Sequence, residues 1–277
     1  MLYDLTSTYF EGQMEQAPKA KHGYSRDKRS DCRQVVIAVV LSAEGFPLAD
    51  EILPGNTNDR ATFKELLQKI QTQYGQARRI WVMDRGIPTE ETMQDMRQSD
   101  PPVGYLVGTP RGRWDQLKAE LEKVPWQKLR DTIEVKLLAQ DQEVYVLAKS
   151  EGRRQKETAI RRRKLARLLR TLRVLRRTRQ RPWKRDTLLH KLGAAHKDAG
   201  KVWGFVKITV PKARRPVNRD TFQFEVLQDK LKDAQQRDGL YLLRGFGAGD
   251  QAGPVWERYI QLSEIEGGLC RDIGGRS

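Results

Sequence analysis

The segment RQVVIAVVLS, Arg33 to Ser42, constrains the fold more than any other. From Val35 to Leu41 it carries no polar side chain, and most of its residues are β-branched. It is far too short to cross a membrane, and it lacks the alternation of a strand with one wet face. Such a run is read as an interior strand whose sheet is covered on both sides. Its neighbours agree. MLYDLTSTYF reads as a strand, and GFPLADEIL, after Glu44-Gly45, as a hairpin partner. NTNDRATFKELLQKIQTQY reads as a helix, with Asn58 or Asp59 as cap and Phe63, Leu66, Leu67 and Ile70 as its apolar stripe. A strand over Arg79–Asp84, a short helix from about Thr89 to Arg97 and a strand over Val103–Pro110 follow.

Three strands, a helix, a strand, a helix and a strand is the element order of a ribonuclease-H-like layer, and other mixed α/β folds share it. From about Gly112 the texture changes. TIEVKLLAQDQEVYVLAKS predicts a hairpin around Gln140-Asp141, and KVWGFVKITV and TFQFEVL predict further strands. GLYLLRG resumes strand character, and GPVWERYIQLSEIE reads as a last helix that Gly267-Gly268 is expected to stop. The expected organisation is therefore a core over 1–111 and 237–277, interrupted over 112–236 by a β-rich insertion with a basic helix at 155–180. The glycine-rich GFGAGDQAG precedes no Lys-Ser/Thr pair and is read as a linker, not a phosphate cradle.

The net charge of +16 is concentrated. Residues 153–185 hold sixteen Lys/Arg against Glu157, which leaves about +1 for the rest of the chain. At 100° per residue, Leu165, Leu168, Leu169, Leu172 and Leu175 share one face of this helix, and Arg163, Arg167, Arg170 and Arg177 share the other. The arginine row is either a solvated face or a phosphate contact. Cys32 and Cys270 have no metal or disulfide spacing, and His22, His190 and His196 show no ligand pattern and are expected on surfaces. Trp203 and Phe205 are either core residues or a base-stacking pair. With no long apolar run and no leader pattern after Met1, the chain reads as a soluble intracellular protein.

Three acids stand out. Asp4 interrupts a β-branched strand, Asp84 ends another, and Glu266 lies on the last helix. Strands disfavour Asp, and carboxylates on neighbouring strands repel unless a cation lies between them. A pair of Mg²⁺ ions would suit such oxygen ligands, although each acid taken singly also has a structural reading.

Several segments resemble the DDE transposases of bacterial insertion sequences, in the group whose ribonuclease-H-like core is interrupted by a β-rich insertion before the catalytic Glu. YDLTSTYFEG is similar to the segment with the first Asp, and KHGYSRDKRSDCRQVVIAVVLSAEGFPLADEILPGNTND to the stretch after it. WVMDRGI resembles the second Asp segment, GYLVGTPR the next strand, and DGLYLLR with WERYIQLSEIE the run into the Glu. The resemblance implies a triad of Asp4, Asp84 and Glu266 holding two Mg²⁺ ions (Mn²⁺ substituting), and DNA contacts at Arg85, Tyr259, Arg163, Arg167, Arg170 and Arg177. It further implies double-stranded DNA as partner, assembly as a dimer or larger complex on that DNA, and a place in the bacterial cytoplasm, at the nucleoid. Tyr259 and Glu266 keep the family spacing, whereas Leu262 and Ile273 stand where it has Arg and Lys. The tail after Glu266 and the start at Met1 lead to the expectation of a chain truncated at both ends. A non-catalytic basic nucleic-acid-binding protein is the alternative reading.

Overall fold

The computed structural model describes residues 1–23, 29–57, 67–72, 75, 79–85, 87–177, 183–213 and 215–273, without the side chains of 111 and 263–273. Of the helix expected over 58–77, residues 67–72 are helical, while its caps Asn58 and Asp59 lie outside the described residues, as does Gly86.

In chain order the strands are β1 (Leu2–Tyr9), β2 (Gln34–Leu41), β3 (Pro47–Pro54), β4 (Ile80–Met83), β5 (Gly104–Gly108), β6 (Gln127–Arg130), β7 (Ile133–Gln140), β8 (Glu143–Ser150), β9 (Val206–Thr209), β10 (Gln223–Val226) and β11 (Leu240–Phe246). The helices are α1 (Glu90–Gln98), α2 (Arg111–Lys123), α3 (Glu151–Arg176), α4 (Arg185–Ala199), α5 (Gln228–Gln236) and α6 (Ala252–Ile273). Among the described residues one sheet runs β3-β2-β1-β4-β5-β11-β8-β7-β6. Its first five strands have the ribonuclease-H-like order, with β1 antiparallel to β2 and parallel to β4. The apolar run that dictated a covered sheet is β2, an interior strand.

The two faces of the sheet carry separate cores. Tyr3, Leu5, Trp81, Met83, Tyr105 and Val107 belong to one, with Met93 and Met96 of α1. Leu2, Val82, Leu106 and Leu243 belong to the other, with Val255, Trp256 and Leu262 of α6. Thr89 caps α1 by accepting from the Thr92 amide, and Glu90 and Glu91 in its first turn suit the helix dipole. The long motif after His22 has a steric logic of its own. Lys21 bridges Gln34, Gln34 Nε2 donates to Gly55 O at 2.8 Å, and a Cβ at Gly23 or Gly55 would stand 2.0 or 1.9 Å from a backbone oxygen. Only glycine fits at these two crossings.

Two compact units emerge, one of Met1–Ala148 with Tyr241–Ser277 and the other of Lys149–Leu240. The boundary expected near 112 falls inside the first unit because β6, β7 and β8 join the main sheet. The predicted hairpin is β7–β8, turning through Asp141 and Gln142 at φ 51° and 66°. With those strands in the core, the second unit is mostly helical; its β-structure is the β9–β10 ribbon.

In that second unit Leu168, Leu172 and Leu175 of α3 are buried with Leu188 and Leu192 of α4 and Phe222, as the leucine face requires. Trp203 and Phe205 are half-buried against this core, as core residues would be, and His196 lies 4.7 Å from the Trp203 ring. Only Val206–Thr209 of the expected strand pairs; Gly200–Phe205 forms a 3-10 turn that buries Val202. Arg161 forms a bidentate ion pair with buried Asp238, and Thr158 donates to the same carboxylate at 2.7 Å. All three histidines are exposed.

The last helix runs through Gly267-Gly268 to Ile273 rather than stopping there. Each glycine costs a helix interior about 1 kcal/mol, which weakens a helix without ending it.

Candidate active site

Strand register builds the site. β1 and β4 pair Leu2 with Val82 and Tyr3 with Met83, and β4 and β5 pair Val82 with Leu106 and Met83 with Val107. One residue past the last pair, the parallel strands reach Asp4 and Asp84. Continuing the register by one residue sets Asp4 beside Asp84, which stands just past the end of β4, where neighbouring backbones lie about 4.8 Å apart. Side chains alternate along a strand, so both acids follow Leu2 and Val82 onto the face covered by α6. Val39, the β2 partner of Asp4, also packs on that face. Asp84 is exposed and Asp4 half-buried.

Gly108 continues the row on β5, with Leu243 of β11 beyond it. Above Gly108 comes Tyr259 of α6, whose hydroxyl donates to Asp84 Oδ1 at 3.5 Å. Glu266 lies seven residues further along α6. At 3.6 residues per turn it stands within about 20° of Tyr259 on the helix circumference, two turns on. Its carboxylate is outside the described side chains, and among the described residues no group of three His, Cys, Asp or Glu is arranged around a cation. Two adjacent, accessible aspartates are a hard oxygen donor set of the kind divalent cations take. Arg85 is exposed beside Asp84.

The next row down faces the other way. Val107 pairs with Arg244, which points to the α1 face and is 4% exposed. Arg244 Nε donates to Glu143 Oε1 and Oε2 at 2.8 and 2.7 Å, and its Nη1 reaches Glu90 at the start of α1. Tyr105 also donates to Glu143, Tyr145 does so at 2.9 Å, and Arg97 donates at 2.8 Å. Burial alone would push the Glu143 carboxyl up. The hydrogen bonds from Tyr105 and Arg244 and the guanidinium charge more than offset it and hold the carboxyl below its ordinary value. Burial pushes the Tyr105 hydroxyl up, and accepting carboxylate Glu143 adds to that. This network ties α1, which follows Asp84, to β5, β8 and β11. Sequence reasoning missed it, because its members meet only once the register is known.

The arginine row is exposed at Arg163, Arg167, Arg170 and Arg177. Arg167 and Arg170, with Lys164, rim a groove of about 450 Å³ whose other wall carries Lys191 over the Trp183 ring at 4.9 Å. The stretch 178–182 of the basic block lies outside the described residues. No helix among the described residues is long and apolar enough to cross a membrane.

A family model described as a transposase DDE domain matches residues 4–216. The chain belongs to that family. The match starts at Asp4 and spans Asp84, and Tyr259 and Glu266 lie beyond its end. No curated protein and no solved structure matches the chain. Membership makes transposition the function of this DDE-domain chain and DNA its partner, and the family generally uses divalent metal ions.

Proposed function

We propose that this transposase cuts phosphodiesters at the ends of an insertion sequence and joins them to target DNA, using Asp4, Asp84 and Glu266 as its carboxylates. The single observation that supports the reading is the adjacency of Asp4 and Asp84 on parallel strands, both on the face that α6 covers. In this reading hydrolysis frees a 3′-hydroxyl, which then attacks target DNA in line. Mg²⁺ or Mn²⁺ held by these carboxylates would lower the pKa of the attacking water and neutralise charge on the phosphate.

The chain's own groups do the rest. Asp4 and Asp84 present oxygens from a rigid sheet, so little motion is needed to bring them together. Arg85, next to Asp84 and exposed, would supply a cation near the scissile phosphate. Arg163, Arg167, Arg170 and Arg177 stand free of the leucine face and neutralise backbone phosphates without reading bases. The copies act as a dimer or larger complex on DNA.

The deciding experiment is strand nicking of end-sequence DNA with Mg²⁺, Mn²⁺ or chelator. Nicking should require metal, and Asp84→Ala should abolish it while DNA affinity in chelator stays within twofold. Metal-independent nicking, or nicking that survives Asp84→Ala, would sink the proposal.

A further inference from the structure

Gly108 and Tyr259 share a relationship that neither the strand nor the helix requires. A Cβ on Gly108 would stand 2.7 Å from the Tyr259 hydroxyl oxygen, but 3.5 Å from its Cζ and 3.3 Å from Arg85 Cβ. The first distance is a collision, and the second is ordinary contact. The missing side chain thus leaves room chiefly for the phenolic oxygen, the Arg85 Cβ at 3.3 Å being a milder crowding. That oxygen is the one that donates to Asp84 Oδ1. Gly108 has no unusual backbone angle to explain its identity, since φ is not in the left-handed region.

We infer that Tyr259 is a positioning residue for Asp84, and that Gly108 is the clearance its hydroxyl needs. The inference rests on the reading of Asp84 as a metal-binding carboxylate and deepens it. By occupying Oδ1, the hydroxyl fixes the carboxylate rotation and leaves Oδ2 turned toward the ligand. Without it, a carboxylate at an exposed strand end samples rotations that point neither oxygen at a shared cation. Hydrogen bonds among catalytic groups commonly tighten when a site takes its ligand. The family resemblance implies a DNA contact at Tyr259; this geometry gives its hydroxyl a task before any DNA arrives. Seven residues on, Glu266 occupies the same side of α6, so one helix would both orient one ligand and supply another.

The test is a Mn²⁺ titration of the full chain followed by electron paramagnetic resonance, with no DNA present. Outer-shell partners of metal ligands typically change affinity by about 10- to 100-fold, and an exposed bond belongs at the lower end. Tyr259→Phe, which keeps the ring and its packing, should weaken Mn²⁺ binding about tenfold with the thermal midpoint unchanged. Gly108→Ala should weaken it similarly by displacing the hydroxyl. In the Tyr259→Phe background Gly108→Ala should cost little more, because the hydroxyl collision is gone and only a small adjustment at Arg85 Cβ, 3.3 Å away, remains. This non-additivity is what a purely structural role would not produce. Affinity in Tyr259→Phe within twofold of the parent, or tighter, overturns the inference, as do additive losses in the double variant. If the parent binds no Mn²⁺, or Asp84→Ala binds it as well as the parent, the metal reading itself falls and takes this inference with it.

Discussion

Replacing Glu143 by Ala should be among the most damaging single changes in the first unit. The Glu143 and Arg244 side chains are each 5% exposed, and Arg244 would be left with Glu90, itself 67% exposed. Breaking a buried ion pair from one side costs about 3–5 kcal/mol, because the surviving charge stays buried. The Tyr105 and Tyr145 hydroxyls lose their acceptor in the same step, and Arg97 can turn to solvent, so the range is not a sum of separate bonds. Hydrogen exchange read by mass spectrometry suits a chain of two compact units, since each reports on its own opening. Slow amides of β5 and β8 should lose protection by roughly two to three and a half orders of magnitude, at about 1.4 kcal/mol per tenfold. Those of α3 around Leu168 and Leu172 should change less than threefold. Glu143→Leu combined with Arg244→Met should recover most of the loss, since an apolar pair of similar size is often as good as a buried ion pair. A loss below tenfold in Glu143→Ala would refute the assignment of this network as the clamp between α1 and the sheet.

Acid should expose the same carboxylate. Glu143 is held below its ordinary value in the folded chain, so the unfolded chain binds that proton more tightly. Its contribution is therefore complete above about pH 4.3 and is lost as pH falls through the lower folded value, and Glu143→Gln should flatten that limb of a urea-midpoint profile. Replacing Arg163, Arg167 and Arg170 together by Ala should lower the slope of log affinity against log salt by about 3 on duplex DNA, in a filter-binding series across salt concentrations. An unchanged slope would mean that the row is a solvated face.

The sequence was most legible where a segment's surroundings are uniform. β2 is apolar on both sides, so its own residues state that both sides are covered. The leucine row of α3 likewise names its buried face without reference to a partner. Legibility failed where identity depends on what lies across a gap. Nothing in QKLR or IEVKLLAQ tells whether the strand joins the main sheet or an inserted one, and β6–β8 joined the main sheet. KVWGF has strand-like composition, yet Gly204, Gly200 just before it and the demand to bury Val202 favoured a tight turn. Asp4 and Asp84 were readable as odd residues for strands, but their adjacency is a fact of register, which no single segment contains. Gly108 carried no signal at all, because its requirement comes from a tyrosine on a helix made much later in the chain.

The place of β11 between β5 and β8 has a consequence for a chain leaving the ribosome. While Lys149–Leu240 is being made, β5 and β8 lack the strand that lies between them in the finished sheet. The last strand closes that slot like the final stave of a cask, and only then can the helix bearing Glu266 settle over the two aspartates. A DDE-domain transposase thereby completes the face that carries its two aspartates only after the whole of Lys149–Leu240 has been made.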